Sequence, residues 1–139
     1  MIWDVLSPLY DFFETIYNSK CFKGIAEEIK NHVGKDDVVL ECACGTGLLT
    51  LPMAQICKEI VATDYSDGML KQTQKKIAGY PNVTVQKASI LDIPFEDNKF
   101  DVVVAANVIH LLDEPERLTC FLETFCRIFR NFVTYISNS

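Results

Sequence analysis

Basic residues are scarce in this 139-residue chain: 13 Lys and Arg stand against 19 Asp and Glu, a formal net charge of −6. Phosphate-backbone binding needs a basic face, so the balance argues against a nucleic-acid partner. Histidine is rarer still, with two in the chain, and neither stands with cysteines at metal-ligand spacing. Cys42 and Cys44 form a lone C-x-C, which reads as structural rather than as a zinc site, so no metal is expected. No apolar run is long enough for a membrane span. The start, Met1-Ile2-Trp3-Asp4, lacks the basic flank and apolar core of a signal peptide. Without such a signal, the six cysteines read as reduced, buried thiols of a cytoplasmic protein. Apolar residues are plentiful, at 49% of the chain, enough for one domain with a real core.

Strand and helix patterns alternate along that domain. Residues 1–18 are aromatic-rich (Trp3, Tyr10, Phe12, Phe13, Tyr17) and predict a helical arm over a main domain at 19–139. Ser19 suits the cap of a helix with Phe22, Ile25, Ala26, Ile29 and Val33 inward. Strands are expected at 38–42, at 60–63 ending in Asp64, at 83–87, at 100–106 and, as a short last one, at 132–136. Between them come an apolar helix from Leu48 to Cys57, a helix capped by Ser66 and running to about Ala78, and a helix opened by Asp113, Pro115 and Glu116. Pro52 fits the first turn of the first of these if that helix begins a residue or two late, and otherwise implies a local kink. The pattern implies an α/β, doubly wound, mostly parallel sheet with right-handed crossovers. Ligands of such sheets bind beyond the carboxyl ends of the strands, where Glu41, Asp64, Ser89 to Asp92 and Asn107 fall.

The segment Val38-Val39-Leu40-Glu41-Cys42-Ala43-Cys44-Gly45-Thr46-Gly47 carries the most chemistry. It reads as a strand ending in an acid, then a glycine loop and a helix. Glycines let the backbone approach a ligand, and a helix start offers N–H groups, which is what a nucleoside cofactor needs. A carboxylate at Glu41 would repel a pyrophosphate but suits a cationic amine or sulfonium.

With these residues the chain resembles the class I S-adenosylmethionine-dependent methyltransferases, in particular the small-molecule group that includes quinone-biosynthesis enzymes. The resemblance runs from about Tyr10 to Phe129 and implies the Rossmann-like methyltransferase fold. The family's acid-x-Gly-x-Gly-x-Gly loop stands here as Glu41 to Gly47, with Ala43 for the first glycine, a mild replacement provided φ is negative there. The resemblance implies that Glu41 favours the cofactor's ammonium group and that Ala43, Gly45, Thr46 and Gly47 pass beneath it. Asp64 would accept from the ribose hydroxyls, with Tyr65 and Met69 packing on the adenine or simply buried. Ala88 to Phe95 resembles the third motif, where Ser89 replaces the usual acid, Asp92 is an alternative and the Ile90 N–H is an adenine contact. Asn107 stands where a backbone carbonyl meets the cofactor's amine. Tyr10 and His110 are acceptor-side candidates; no catalytic residue is named, since transfer from an activated sulfonium rests mainly on alignment and water exclusion.

Relatives continue past the long helix with a Gly-Gly turn and further strands. This chain lacks that turn, and the fold is expected to lack the usual C-terminal strands. An unprotected sheet flank predicts a homodimer through the C-terminal segment. The leading expectation is an enzyme that methylates a small molecule with S-adenosylmethionine, releasing S-adenosylhomocysteine, with no nucleic-acid or membrane partner. The alternatives are a cofactor-binding or interaction module with little or no turnover and, less favoured, an NAD-dependent oxidoreductase. The last is disfavoured because Thr50 falls where G-x-G-x-x-G needs its third glycine.

Overall fold

Continuous apolar runs need cover on both faces, and the fold supplies it. The computed structural model describes residues 27, 29–106 and 132–135. Its elements run in the order β1 (Val38–Cys42), α1 (Thr50–Ala54), β2 (Glu59–Asp64), α2 (Asp67–Lys76), β3 (Val83–Lys87), β4 (Val102–Ala106) and β5 (Phe132–Tyr135). The five strands form one sheet in the order β3-β2-β1-β4-β5, and every pairing is parallel. The sheet thus grows from β1 in both directions, and such a reversal of order, here between β1 and β4, is where parallel sheets take ligands at the carboxyl ends of their strands.

Strand period sorts the core into two faces. On one, Val39, Val102 and Val104 pack with Met53 and Ala54 of α1 and with Ile29 and Val33. On the other, Leu40, Cys42, Val103 and Ala105 meet Ile93 and Phe100. Ile29 and Val33 are among the inward residues the helical spacing predicts, and Val102, Val103, Val104 and Ala105 of β4 are buried as its unbroken apolar run requires. Glu41 shares the parity of Val39, so it points to the α1 face.

Boundaries shift where caps intervene. The Leu48–Cys57 helix shrinks to Thr50–Ala54, which puts Pro52 in the first turn, where its missing N–H is harmless. Residues on either side make turn bonds instead, as from Ile56 N to Met53 O at 3.0 Å. β4 begins at Val102 rather than Phe100 because Asp101 serves as a bracket. Its N–H donates to Val38 O at 2.8 Å, and its carboxylate accepts from Val38 N at 2.9 Å. The last expected strand is present as Phe132–Tyr135, registered on Val103–Ala106. Among the described residues, no helix is long and apolar enough to cross a membrane. The arm at 1–18 and the helix expected from Asp113 lie outside the described residues.

Candidate functional site

The loop between β1 and α1 is built by three left-handed residues. Ala43 has φ +54°, Gly45 +59° and Gly47 +87°. The condition attached to Ala43 therefore fails: the first glycine position does require positive φ, and an alanine there is strained by about 1 kcal/mol. The two glycines serve different ends. A Cβ on Gly47 would lie 3.1 Å from the Thr73 side chain and 3.2 Å from its α-carbon, so Gly47 permits close contact with α2. A Cβ on Gly45 would meet nothing within 4 Å among the described residues. Gly45 thus leaves a cradle that a side chain would fill.

Long-range hydrogen bonds fix this loop. Asp64, at the end of β2, accepts from Gly45 N through Oδ2 and from Ser66 N through Oδ1, each at 2.9 Å. Cys44 N donates to Thr63 O at 2.8 Å and Gly47 N to Cys44 O at 3.1 Å. From α2, Thr73 Oγ1 donates to Gly45 O and Lys76 Nζ to Thr46 O, both at 2.8 Å. Ser66 caps α2 as its type predicts, its side chain accepting from Met69 N at 3.2 Å. The Asp64 carboxylate therefore joins the loop to the start of α2, and carboxylate oxygens keep further lone pairs for hydroxyl donors.

Glu41 lies one residue inside β1 and is 3% exposed. Thr50 Oγ1, from the first turn of α1, donates to Glu41 Oε2, while Thr63 Oγ1 donates to the Glu41 carbonyl at 3.0 Å. Burial pushes the carboxyl up to about 8; the Thr50 hydroxyl opposes that shift and the nearby Asp64 charge adds to it. Burial, with no cation beside it among the described residues, thus favours the protonated carboxyl over the fixed negative charge expected at this position. A cation brought beside it would favour its ionised form.

The other strand ends present a more open surface. Tyr65 is 60% exposed, with Lys87 Nζ 5.3 Å from its ring centre and 3.0 Å from Asp67 Oδ2. Met69 is buried, which places its side chain in the core. Ser89 holds its own turn, its Oγ accepting from Leu91 N at 3.2 Å and its carbonyl from Asp92 N at 3.0 Å. Asp92 is exposed, Ile90 is half-buried against the Phe100 cluster, and Thr46 is buried. Tyr10, Asn107 and His110 lie outside the described residues. Among the described residues no three metal-ligating side chains gather. Burial pushes the Cys42 thiol up to about 12, with the Glu41 charge adding to the shift and a Thr63 hydrogen bond opposing it, which suits an inert core residue.

Thr50, Thr63, Thr73 and Lys76 escaped the sequence reading. A signal existed for two of them. Thr50 and Thr73 are hydroxyl residues on otherwise apolar helix faces, Thr73 following Met69 and Leu70 at helical spacing, and a buried hydroxyl needs a partner.

Comparison with known proteins bears on this geometry. Residues 39–131 match the family described as "Methyltransferase domain". A demethylmenaquinone methyltransferase of Symbiobacterium thermophilum is 31% identical over 110 residues, covering 73% of this chain and 44% of that protein. One from Lactiplantibacillus plantarum is 28% identical, over 85% of this chain and 54% of its own length. The chain spans about half the length of these curated relatives. Among solved structures, a SAM-dependent methyltransferase from Aquifex aeolicus superposes with TM-score 0.63 at 24% identity, covering 73% of this chain and 58% of that one. Phosphoethanolamine N-methyltransferase 1 of Haemonchus contortus, in complex with phosphoethanolamine and S-adenosylhomocysteine, gives TM-score 0.75 at 15% identity, covering 96% of this chain and 28% of that one. At those identities the likeness is one of fold.

Proposed function

We propose that this chain, which belongs to the S-adenosylmethionine-dependent methyltransferase domain family, binds that cofactor at the carboxyl ends of its central strands and transfers a methyl group to a small molecule. The observation that carries the reading is the loop at Gly45, open among the described residues and held by the Asp64 carboxylate at the end of β2, with the buried acid Glu41 near the end of β1. The cofactor, when bound, supplies an already activated methyl group. The chain's own part is to hold it. Asp64, fixed by Gly45 and Ser66, offers carboxylate lone pairs to ribose hydroxyls. Glu41 is suited to an ammonium group, which would draw off its proton. Gly45 and Gly47 keep the loop low, with Ala43 and Thr46 completing its curve. Tyr65 offers an exposed aromatic face to the adenine, with Ser89 and Ile90 as further contacts for it and the buried Met69 supporting the start of α2. Asn107, Tyr10 and His110 are the further candidates for substitution.

Calorimetry with S-adenosylhomocysteine, S-adenosylmethionine and NAD tests the cofactor. Binding of the first two without NAD is expected; NAD binding alone overturns the reading. Asp64→Ala should weaken S-adenosylhomocysteine binding by about tenfold or more, since it removes charge-assisted acceptors and loosens the loop. Turnover against phenols, quinols and amines tests the acceptor. Because relatives bear the name demethylmenaquinone methyltransferase, demethylmenaquinone is the first to try. Tight cofactor binding with no transfer to any acceptor would favour a binding module. The family assignment and the acidic charge support a small-molecule acceptor rather than a nucleic acid. A homodimer through the edge strand β5 is part of the same proposal, and a monomer by light scattering at high concentration would remove it.

A further inference from the structure

We propose that Thr73 and Lys76, one turn apart on α2, act as a clamp that holds the glycine loop in its cofactor-receiving shape, an inference that rests on the cofactor reading above. They are positioning residues: neither needs to touch the ligand. The Thr73 hydroxyl takes the carbonyl of Gly45 and the Lys76 ammonium takes the next carbonyl, that of Thr46, both at 2.8 Å. Two consecutive peptide units are thereby tied to one helix face. Asp64 takes the N–H of the same Gly45 at 2.9 Å, so that residue is held at both ends of its backbone. Gly47 completes the seat, since its missing side chain is what lets Thr73 come this close.

Geometry gives the clamp a direction. With the carbonyls drawn toward α2, the α-carbon of Gly45 is the part of the loop left facing open space among the described residues. Thr73 is fully buried and Lys76 half-buried, and both bonds are part-buried, so competing water is excluded in part. A lysine that folds its stem over the loop to reach a carbonyl gives up rotamer freedom and part of its hydration. That is a poor arrangement for a solvated surface charge and a good one for restraining a loop. A left-handed loop carrying a strained alanine at Ala43 has particular need of such a restraint.

The test compares Thr73→Val and Lys76→Met, which keep shape and remove the donors, with Thr73→Ser and Lys76→Arg, which keep a donor. S-adenosylhomocysteine affinity is read by calorimetry, and backbone exchange over residues 43–48 by hydrogen–deuterium mass spectrometry. Thr73→Val and Lys76→Met should each weaken binding about three- to tenfold, the loss of one hydrogen bond at the loop, and speed exchange there. Thr73→Ser and Lys76→Arg should stay within about twofold of the parent. If the parent binds and the donor-less variants bind equally well, the clamp is overturned while the cofactor reading stands. If the parent itself fails to bind, the cofactor reading falls, and the clamp's role in it falls too. Faster exchange without weaker binding would make the pair structural only and also overturn the proposal. Should a donor-less variant fail to fold, weakened binding by the folded Lys76→Arg or Thr73→Ser chain would equally overturn it.

Discussion

Two loops leave the carboxyl edge of the same sheet, and they are held in different ways. Ala43–Gly47 is tied by other elements: Asp64 of β2 on one side, Thr73 and Lys76 of α2 on the other. Ala88–Phe95 is tied mostly to itself. Ser89 bonds the N–H groups of Leu91 and Asp92, Leu91 is 65% exposed, and among the described residues Ala88 N reaches back to Asp64 O at 3.1 Å. Its anchors are apolar, with Ile93 buried and Phe95 edge-on to Phe100 at 5.3 Å between ring centres. The difference bears on binding: the first loop is preorganised, so a ligand need not pay for its ordering.

The largest effect expected on the tightly held side is a pH dependence. Glu41 keeps its proton more firmly in the folded chain than in the unfolded one. Below about pH 4.5 it is protonated in both, and its contribution to stability is greatest. As pH rises toward about 8 the unfolded chain ionises first and stability falls, levelling off above that. The fall should amount to roughly 3–5 kcal/mol. Urea unfolding across this range checks it, and Glu41→Gln, neutral at every pH, should flatten the curve.

Next in size is the contrast within the loop itself. Gly47→Ala meets Thr73 and should cost about 2 kcal/mol or more. Gly45→Ala should cost only about 1 kcal/mol, for its left-handed backbone, yet reduce S-adenosylhomocysteine affinity more than Gly47→Ala reduces it per unit of lost stability. Equal losses in both assays would erase the distinction between the two glycines. Smaller and opposite in sign, Ala43→Gly should raise stability by roughly 0.5–1 kcal/mol, because glycine relieves the left-handed strain at some entropic cost. A thermal melt of the two chains decides it.

The smallest effects belong to the second loop. Ser89→Ala and Asp92→Ala should each shift stability by no more than about 0.5 kcal/mol, as exposed and locally bonded residues do. A loss well above that in urea would show the segment to be as firmly built as the glycine loop, and the comparison would fail.

Much of this architecture is legible in the residues. Period-2 burial placed Val39 and Leu40 on opposite faces, Ser66 announced the start of α2, and Pro52 limited where α1 begins. The position of Asp64 at the end of a strand, and of Glu41 one residue inside one, followed from the strand pattern. What was not legible was the state of those residues. Nothing local in Glu41 says that Thr50 will meet it or that burial will keep it protonated. Nothing in Ala43 says that its φ will be positive.

Alone, the amino-acid sequence determined the order of strands and helices and the type of loop between β1 and α1, because periodicity and glycine spacing are properties of near neighbours. Only the tertiary structure decided how that loop is held. Gly45 and Thr46 find Thr73 and Lys76 at separations of 28 and 30 residues. Bonds over that span exist only once β2 has paired with β1 and carried α2 against the loop, and the sign of a backbone angle and the charge of a buried acid are set by the same packing.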